Sequence, residues 1–379
     1  MRDLRWPAFA LAGFLLLVCF GLLHTWFWSR HVIVDTPIYE QYGIAMRQGQ
    51  LPYRDFAVEY PPGALPAFVA PTFAGDYAST FGWLMAVCGV AILFVLALAR
   101  ARPAVLLLVG VSPLLIGSML LSRFDLWPTL FVVIALCALA RDRHRIGWLA
   151  LGLAIAIKVF AFVLVPLAAV WTLRRRGRRE LAVAAAIAVA ALVAVFAPFV
   201  AVAPRGVWHS VWGQASRPLQ IESLGATVLR TFGHPTIVAT HGSLNIAGKG
   251  WLATLTTLVE LAVLVAIWAG FARGPAEPER LVRYSAAALC AFIAFGKVIS
   301  PQFLIWLVPI VPLVRGRRGL AATALLVAVL FTTQVYFPAR YFPFVYDGHL
   351  AWVVLLRDVL LVALLAVLSL PARERARSA

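Results

Sequence analysis

Apolar runs separated by short arginine clusters constrain this chain more than any other feature. The clear runs are 8–28, 81–99, 104–121, 126–140, 181–203, 250–272, 319–337 and 350–370. Most approach the ~20 residues that a helix needs to cross a ~30 Å hydrocarbon core. With 63% hydrophobic and only 13% charged residues in 379, no soluble fold could cover its apolar surface. The fold class expected is an all-α polytopic membrane protein, one integral domain over 1–379. The first run opens at Pro7 without a small-residue cleavage site, which predicts a retained helix and not a signal peptide.

Two further stretches, 146–173 and 284–314, are interrupted near their middles by Lys158 and Lys297. Each is long for one crossing and short for two. If each is a shallow hairpin, 21 of the 33 basic residues face one side; if each crosses once, 17 do. Cytoplasmic loops carry the excess of Lys and Arg, so the count favours hairpins. The result is a bundle of about 10–12 transmembrane helices with both termini cytoplasmic. It leaves two long external loops, about 29–80 and 204–249, each expected to hold an interfacial helix. In "GVWHSVWGQ" Trp208 and Trp212 share a helical face suited to the headgroup layer.

A net charge of +17 could suggest nucleic acid, but the charges sit in loop clusters such as "RDRHR" and "RRRGRR" between apolar runs, so no nucleic-acid partner is expected. Cys19, Cys88, Cys137 and Cys290 lie within apolar runs and read as small core residues. The scattered histidines, His31 among them, show no ligand spacing. No P-loop, dinucleotide fingerprint, HExxH, nucleophile elbow or DxD pair is present.

The sixteen acids divide by location. Asp3, Asp142, Glu180, Glu277, Glu279 and Glu374 neighbour arginines in inner loops. Glu260 and Asp358 fall within apolar runs, where pairing inside the bundle, with Arg357 or with hydroxyls, is expected. Asp35, Glu40, Asp55, Glu59, Asp76, Asp125, Glu222 and Asp347 face outside. Arg123 and Asp125 share a tight turn in "LSRFDLWP", while Lys158 and Lys297 tip the two hairpins. Ionisable groups at membrane depth are costly and mark paired or functional sites, although both lysines could also snorkel to the surface. Cations and a carboxylate around an outer cavity suit a lipid-linked phosphate. Transfer of a sugar carried on it needs a carboxylate to take the acceptor proton and cations to stabilise the leaving phosphate. Direct displacement with one base inverts the anomeric centre.

At these residues the sequence resembles glycosyltransferase family 87 of the GT-C superfamily, whose members use polyprenyl-phosphate sugars. Six motifs occur in order: "VDTPIYEQYG", "GQLPYRDFAVEYPPG", "SRFDLWP", "GLAIAIKVFAFVLVP", "SRPLQIESLGA" and "GKVISPQFLIWLVP". The resemblance implies a GT-C bundle in the plasma membrane with an extracytoplasmic active site. It implies a polyprenyl-phosphate-sugar donor, a mannosyl or arabinosyl group, and a glycan or glycolipid acceptor. By position, Asp35 takes the role of general base, with Glu59 as second choice. Asp35-Thr36-Pro37 replaces the acidic pair of many GT-C relatives, so no divalent metal or other cofactor is expected. Pro37 biases Thr36 away from helix, so that a turn aims Asp35 at the bundle. Arg123, Lys158 and Lys297 are the candidates for the donor phosphate. Asp125, Tyr60, Gln302, Arg217, Gln220 and Glu222 are further candidates for substrate contact. "YPP" reads as a rigid turn, and Arg217 and Glu222 could instead pair to shape their loop. The competing readings are a transporter or flippase of lipid-linked or anionic solutes, and a non-catalytic assembly partner.

Overall fold

The computed structural model describes residues 4–25 and 33–370. His31, the end of the first apolar run, Asp3 and the terminal clusters around Arg2 and Arg373–Arg377 with Glu374 lie outside the described residues. The chain is an all-α polytopic membrane protein. Among the described residues, six helical stretches are long and apolar enough to cross a bilayer, and four shorter apolar ones accompany them.

Helix α1 (Arg5–Leu23) precedes a first long loop that contains α2 (Thr36–Arg47) and α3 (Leu65–Val69). Four helices follow: α4 (Tyr77–Leu98), α5 (Pro103–Ile116), α6 (Leu126–Leu139) and α7 (His144–Ile157). The long α8 (Val165–Val202) is two arms, because Gly177 at φ 82° and ψ 179° breaks the helix. A second long loop holds α9 (Pro204–Ala215), α10 (Leu224–Phe232) and an antiparallel hairpin of β1 (Ile237–Thr240) with β2 (Ser243–Ile246). The chain ends with α11 (Gly250–Arg273), α12 (Pro278–Phe295), α13 (Gly316–Tyr336), the short α14 (Tyr341–Asp347) and α15 (Ala351–Ser369).

Side-chain contacts resolve both ambiguous stretches as hairpins. His144 Nδ1 lies 2.9 Å from Thr172 Oγ1, and the Trp148 indole donates to the same hydroxyl at 3.0 Å. Helix α7 is therefore antiparallel to the arm 165–176, with Lys158 at the tip. Arg145 pairs with Glu180 at 3.0 Å and Gly152 packs on the Ala188 backbone, so the arm 178–202 runs parallel to α7. In the second stretch α12 ends before Gly296, and the 3-10 segments Pro301–Trp306 and Val311–Leu313 carry the chain back. Arg102 closes that return by donating to the carbonyls of Pro312 (3.0 Å) and Val314 (3.1 Å).

The same contacts gather the basic clusters on one face. Arg175 pairs with Asp142, Arg174 donates to the Ala272 and Gly274 carbonyls, and Arg283 donates to the Leu368 carbonyl at 2.8 Å. Helices α5, α6 and α7 each have one end on this face, and each has 14 residues. At 1.5 Å per residue they span about 21 Å, short of a ~30 Å core. Their other ends, at Gly117, Asp125 and Lys158, fall short of the far side of such a core and mark a recessed level of the bundle. Non-helical backbone is tolerated at that depth only where protein or a cavity surrounds it.

Candidate active site

Asp35 immediately precedes α2. Contrary to the expectation from Pro37, Thr36 is already helical. Proline fits the first turn because the N–H it lacks has no intrahelical partner there. The Asp35 carbonyl accepts from the amides of Ile38 (3.0 Å) and Tyr39 (3.1 Å). Its side chain does not cap the helix. The carboxylate instead forms an ion pair with Arg123 and accepts from the Tyr39 hydroxyl at 3.3 Å. Tyr39 is fixed by stacking on Phe68 at 4.4 Å between centroids, and its hydroxyl lies 3.5 Å from that of Tyr60.

Arg123 comes from the turn between the 3-10 segment Ser118–Leu121 and α6. It is buried, reaches the Ile33 carbonyl at 3.4 Å, and leaves its Nε without a partner. Two residues on, Asp125 is 1% exposed and anchors Lys158: its Oδ1 accepts from Lys158 Nζ at 2.6 Å and from the Trp306 indole at 2.7 Å. The Lys158 ammonium also lies over the rings of Phe124 (4.8 Å), Phe303 (5.2 Å) and Trp306 (5.3 Å). A caged ammonium of this kind gains cation–π attraction where water is scarce. It does not snorkel.

The "YPP" turn sits on this arrangement. Pro61 is extended, Pro62–Ala64 forms a 3-10 turn, and the Trp127 indole donates to the Gly63 carbonyl at 3.1 Å. A side chain at Gly63 would collide with the Ala156 carbonyl, so only glycine lets the turn rest on the end of α7 beside Lys158.

Lys297, at the other hairpin tip, donates to the Ala215 carbonyl at 2.7 Å, and its own carbonyl accepts from the Gln220 amide at 3.0 Å. The second hairpin is thereby tied to the second long loop. Gln302 accepts from the Ser300 hydroxyl. Glu59 is exposed, and Arg217 reaches Gln214 Oε1 at 3.4 Å.

Glu222 departs from both sequence readings. It does not pair with Arg217, and it is 2% exposed. Its carboxylate accepts from Tyr336 (2.7 Å) and Gln220 (3.2 Å), while Arg357 donates to its carbonyl at 2.7 Å. Arg357 also bonds the Tyr336 hydroxyl at 2.8 Å and Asp358 at 2.8 Å, and Thr227 completes Asp358 at 2.7 Å. Burial pushes the Glu222 carboxyl up to about 7, against the opposing pull of Arg357 and Tyr336. The network ties the second long loop to α13 and α15. No local motif announces it, because the second long loop lies more than a hundred positions from its partners Tyr336, Arg357 and Asp358; the adjacent Arg357-Asp358 pair is the one available signal.

A family model described as glycosyltransferase family 87 matches residues 58–301, well over half of the chain. The chain belongs to glycosyltransferase family 87. No curated protein matches it. As a family 87 member it is a glycosyltransferase, and the transporter and assembly-partner readings lose their ground. The matched stretch includes Glu59, Tyr60, Arg123, Asp125, Lys158, Arg217, Gln220, Glu222 and Lys297, whereas Asp35 and Gln302 lie beyond its ends.

Proposed function

We propose that this family 87 enzyme is an inverting transferase that moves a sugar, mannose or a pentose such as arabinose, from a polyprenyl-phosphate donor to a glycan or glycolipid acceptor. Asp35 is the general base. The observation that carries this reading is the Asp35 carboxylate held between Arg123 and Tyr39 at the recess where Lys158 also ends. The acceptor hydroxyl gives its proton to Asp35 as its oxygen attacks the anomeric carbon. The bond from that carbon to the phosphate oxygen breaks, and the polyprenyl phosphate leaves with the electron pair. Lys158 uses one of its three donors on Asp125, and Arg123 keeps an unpaired Nε, so both have donors to spare for phosphate oxygens. Arg217 adds positive charge near both Lys158 and Lys297. The positive-inside rule supports a cytoplasmic basic face and, with it, a site on the extracytoplasmic side of the plasma membrane.

Metal independence belongs to the same reading. The near partners of Asp35 and Asp125 are two cations, which supply positive charge where a metal would bring it, with a phenol and an indole as neutral donors. We expect Asp35→Asn in purified protein to keep its fold and lose transfer by roughly 10²–10⁴-fold, the range of general-base contributions. Near wild-type transfer by that variant would remove Asp35 from the role. Activity should survive EDTA; a loss restored by Mn²⁺ or Mg²⁺ would refute metal independence.

A further inference from the structure

A cleft of about 450 Å³ opens between residues 53–59 of the first long loop and helix α9 of the second. Its volume falls in the ~300–1,000 Å³ range of small-molecule sites. It lies beside the residues around Asp35: Glu59 on its wall is followed by Tyr60, whose hydroxyl lies 3.5 Å from that of Tyr39.

We propose that this cleft binds the saccharide portion of the acceptor. The inference rests on the reading of the chain as a polyprenyl-phosphate-sugar transferase and names where its second substrate sits.

Helix α9 carries the first argument. Gly206, His209, Ser210, Gly213 and Gln214 recur at three- and four-residue spacing and face the cleft. Trp208, Val211 and Trp212 occupy the opposite face and are exposed, the two indoles stacked with centroids 5.9 Å apart. One face therefore suits lipid headgroups, and the other offers hydroxyl, amide and imidazole groups. Charge carries the second argument. Arg54 is paired with Asp55 at 2.8 Å, and Glu59 faces the same space as Arg217. Balanced charges with many neutral donors and acceptors fit a polyol better than a phosphate. Backbone geometry carries the third. Tyr53 and His241 line the cleft with φ of 67° and 53°, a left-handed conformation that costs free energy for such residues. The rim is held in place all the same: the Tyr53 hydroxyl donates to the Tyr60 carbonyl at 2.6 Å, and a methyl group at Gly206 would strike the Tyr53 carbonyl.

The test is protection of a cysteine placed in the cleft. Gly213→Cys has open space around its new side chain, and Ser210→Cys serves as a second variant. The native cysteines lie within the apolar segments and give little background. The full chain in lipid nanodiscs is labelled with a water-soluble thiol reagent. Oligosaccharides of mannose or of arabinose are the probes, and polyprenyl phosphate is the control. At ten times its Kd a saccharide should slow labelling by about tenfold, while polyprenyl phosphate should not. Protection by polyprenyl phosphate alone, or by nothing, overturns the assignment. Saccharide protection without any transfer by the wild type would leave the cleft standing and sink the catalytic reading; transfer without protection would do the reverse.

Discussion

The recess beside Asp35 and the cleft beyond Glu59 are neighbours built on different principles. In the recess each ion is buried or partly buried and already held: Asp35 by Arg123, Asp125 by Lys158 and Trp306. In the cleft the groups are mostly exposed, and the recognition surface comes from two loops brought together. The recess takes its shape from helices that end early, the cleft from a helix with two contrasting faces. A charged leaving group needs preorganised, desolvated partners, whereas an acceptor of many hydroxyls needs a wettable surface that it can enter and leave.

The two regions should respond differently to substitution. The largest effect is expected in the recess. Lys158→Met strands the Asp125 carboxylate and should cost about 3–5 kcal/mol of stability, as breaking a buried ion pair does, together with transfer. Adding Asp125→Asn should restore the melting temperature without restoring transfer. If the double variant regained activity, Lys158 would be structural only.

The cleft should answer in affinity. Gly213→Trp fills it, and acceptor KM should rise by roughly tenfold or more, about 1.4 kcal/mol, with kcat at saturating acceptor much less affected. An equal fall in kcat and kcat/KM would place this surface in the chemical step and erase the contrast.

The smallest effect concerns Glu222, which belongs to neither region. Its folded-state value is raised from 4.5 to about 7 by burial. Between those values the native state holds more protons than the unfolded one, so stability should fall as pH rises through this window. Glu222→Gln should flatten the decline in melting temperature between pH 5 and pH 8 and leave KM unchanged. A raised KM would return Glu222 to the substrate-binding set.

Much of the architecture is legible in the sequence because it follows from length and charge. Lys158 and Lys297 mark hairpin tips, and arginine clusters then have to share a face. Trp208 and Trp212 fall on one exposed face, as their spacing requires. Pairings over long separations are less legible. Nothing local links Asp125 to Trp306, or Glu222 to Tyr336, because those partners are chosen by helix packing. Pro37 misleads for another reason: its restriction on Thr36 is a preference, and the first turn of a helix tolerates it. The cleft had a partial signature in the glycine, histidine and serine residues on the back of α9, but its other wall comes from residues 150 positions earlier.

Helix α9 has a consequence for where synthesis can take place. Its tryptophans suit the headgroup layer while its opposite side lines the cleft, so the anchor and the binding wall are one rigid body. If the cleft holds the acceptor, the enzyme should work as a depth gauge: sugar would be added at one height above the hydrocarbon, and an acceptor held farther out would go unmodified however well its sugars fit.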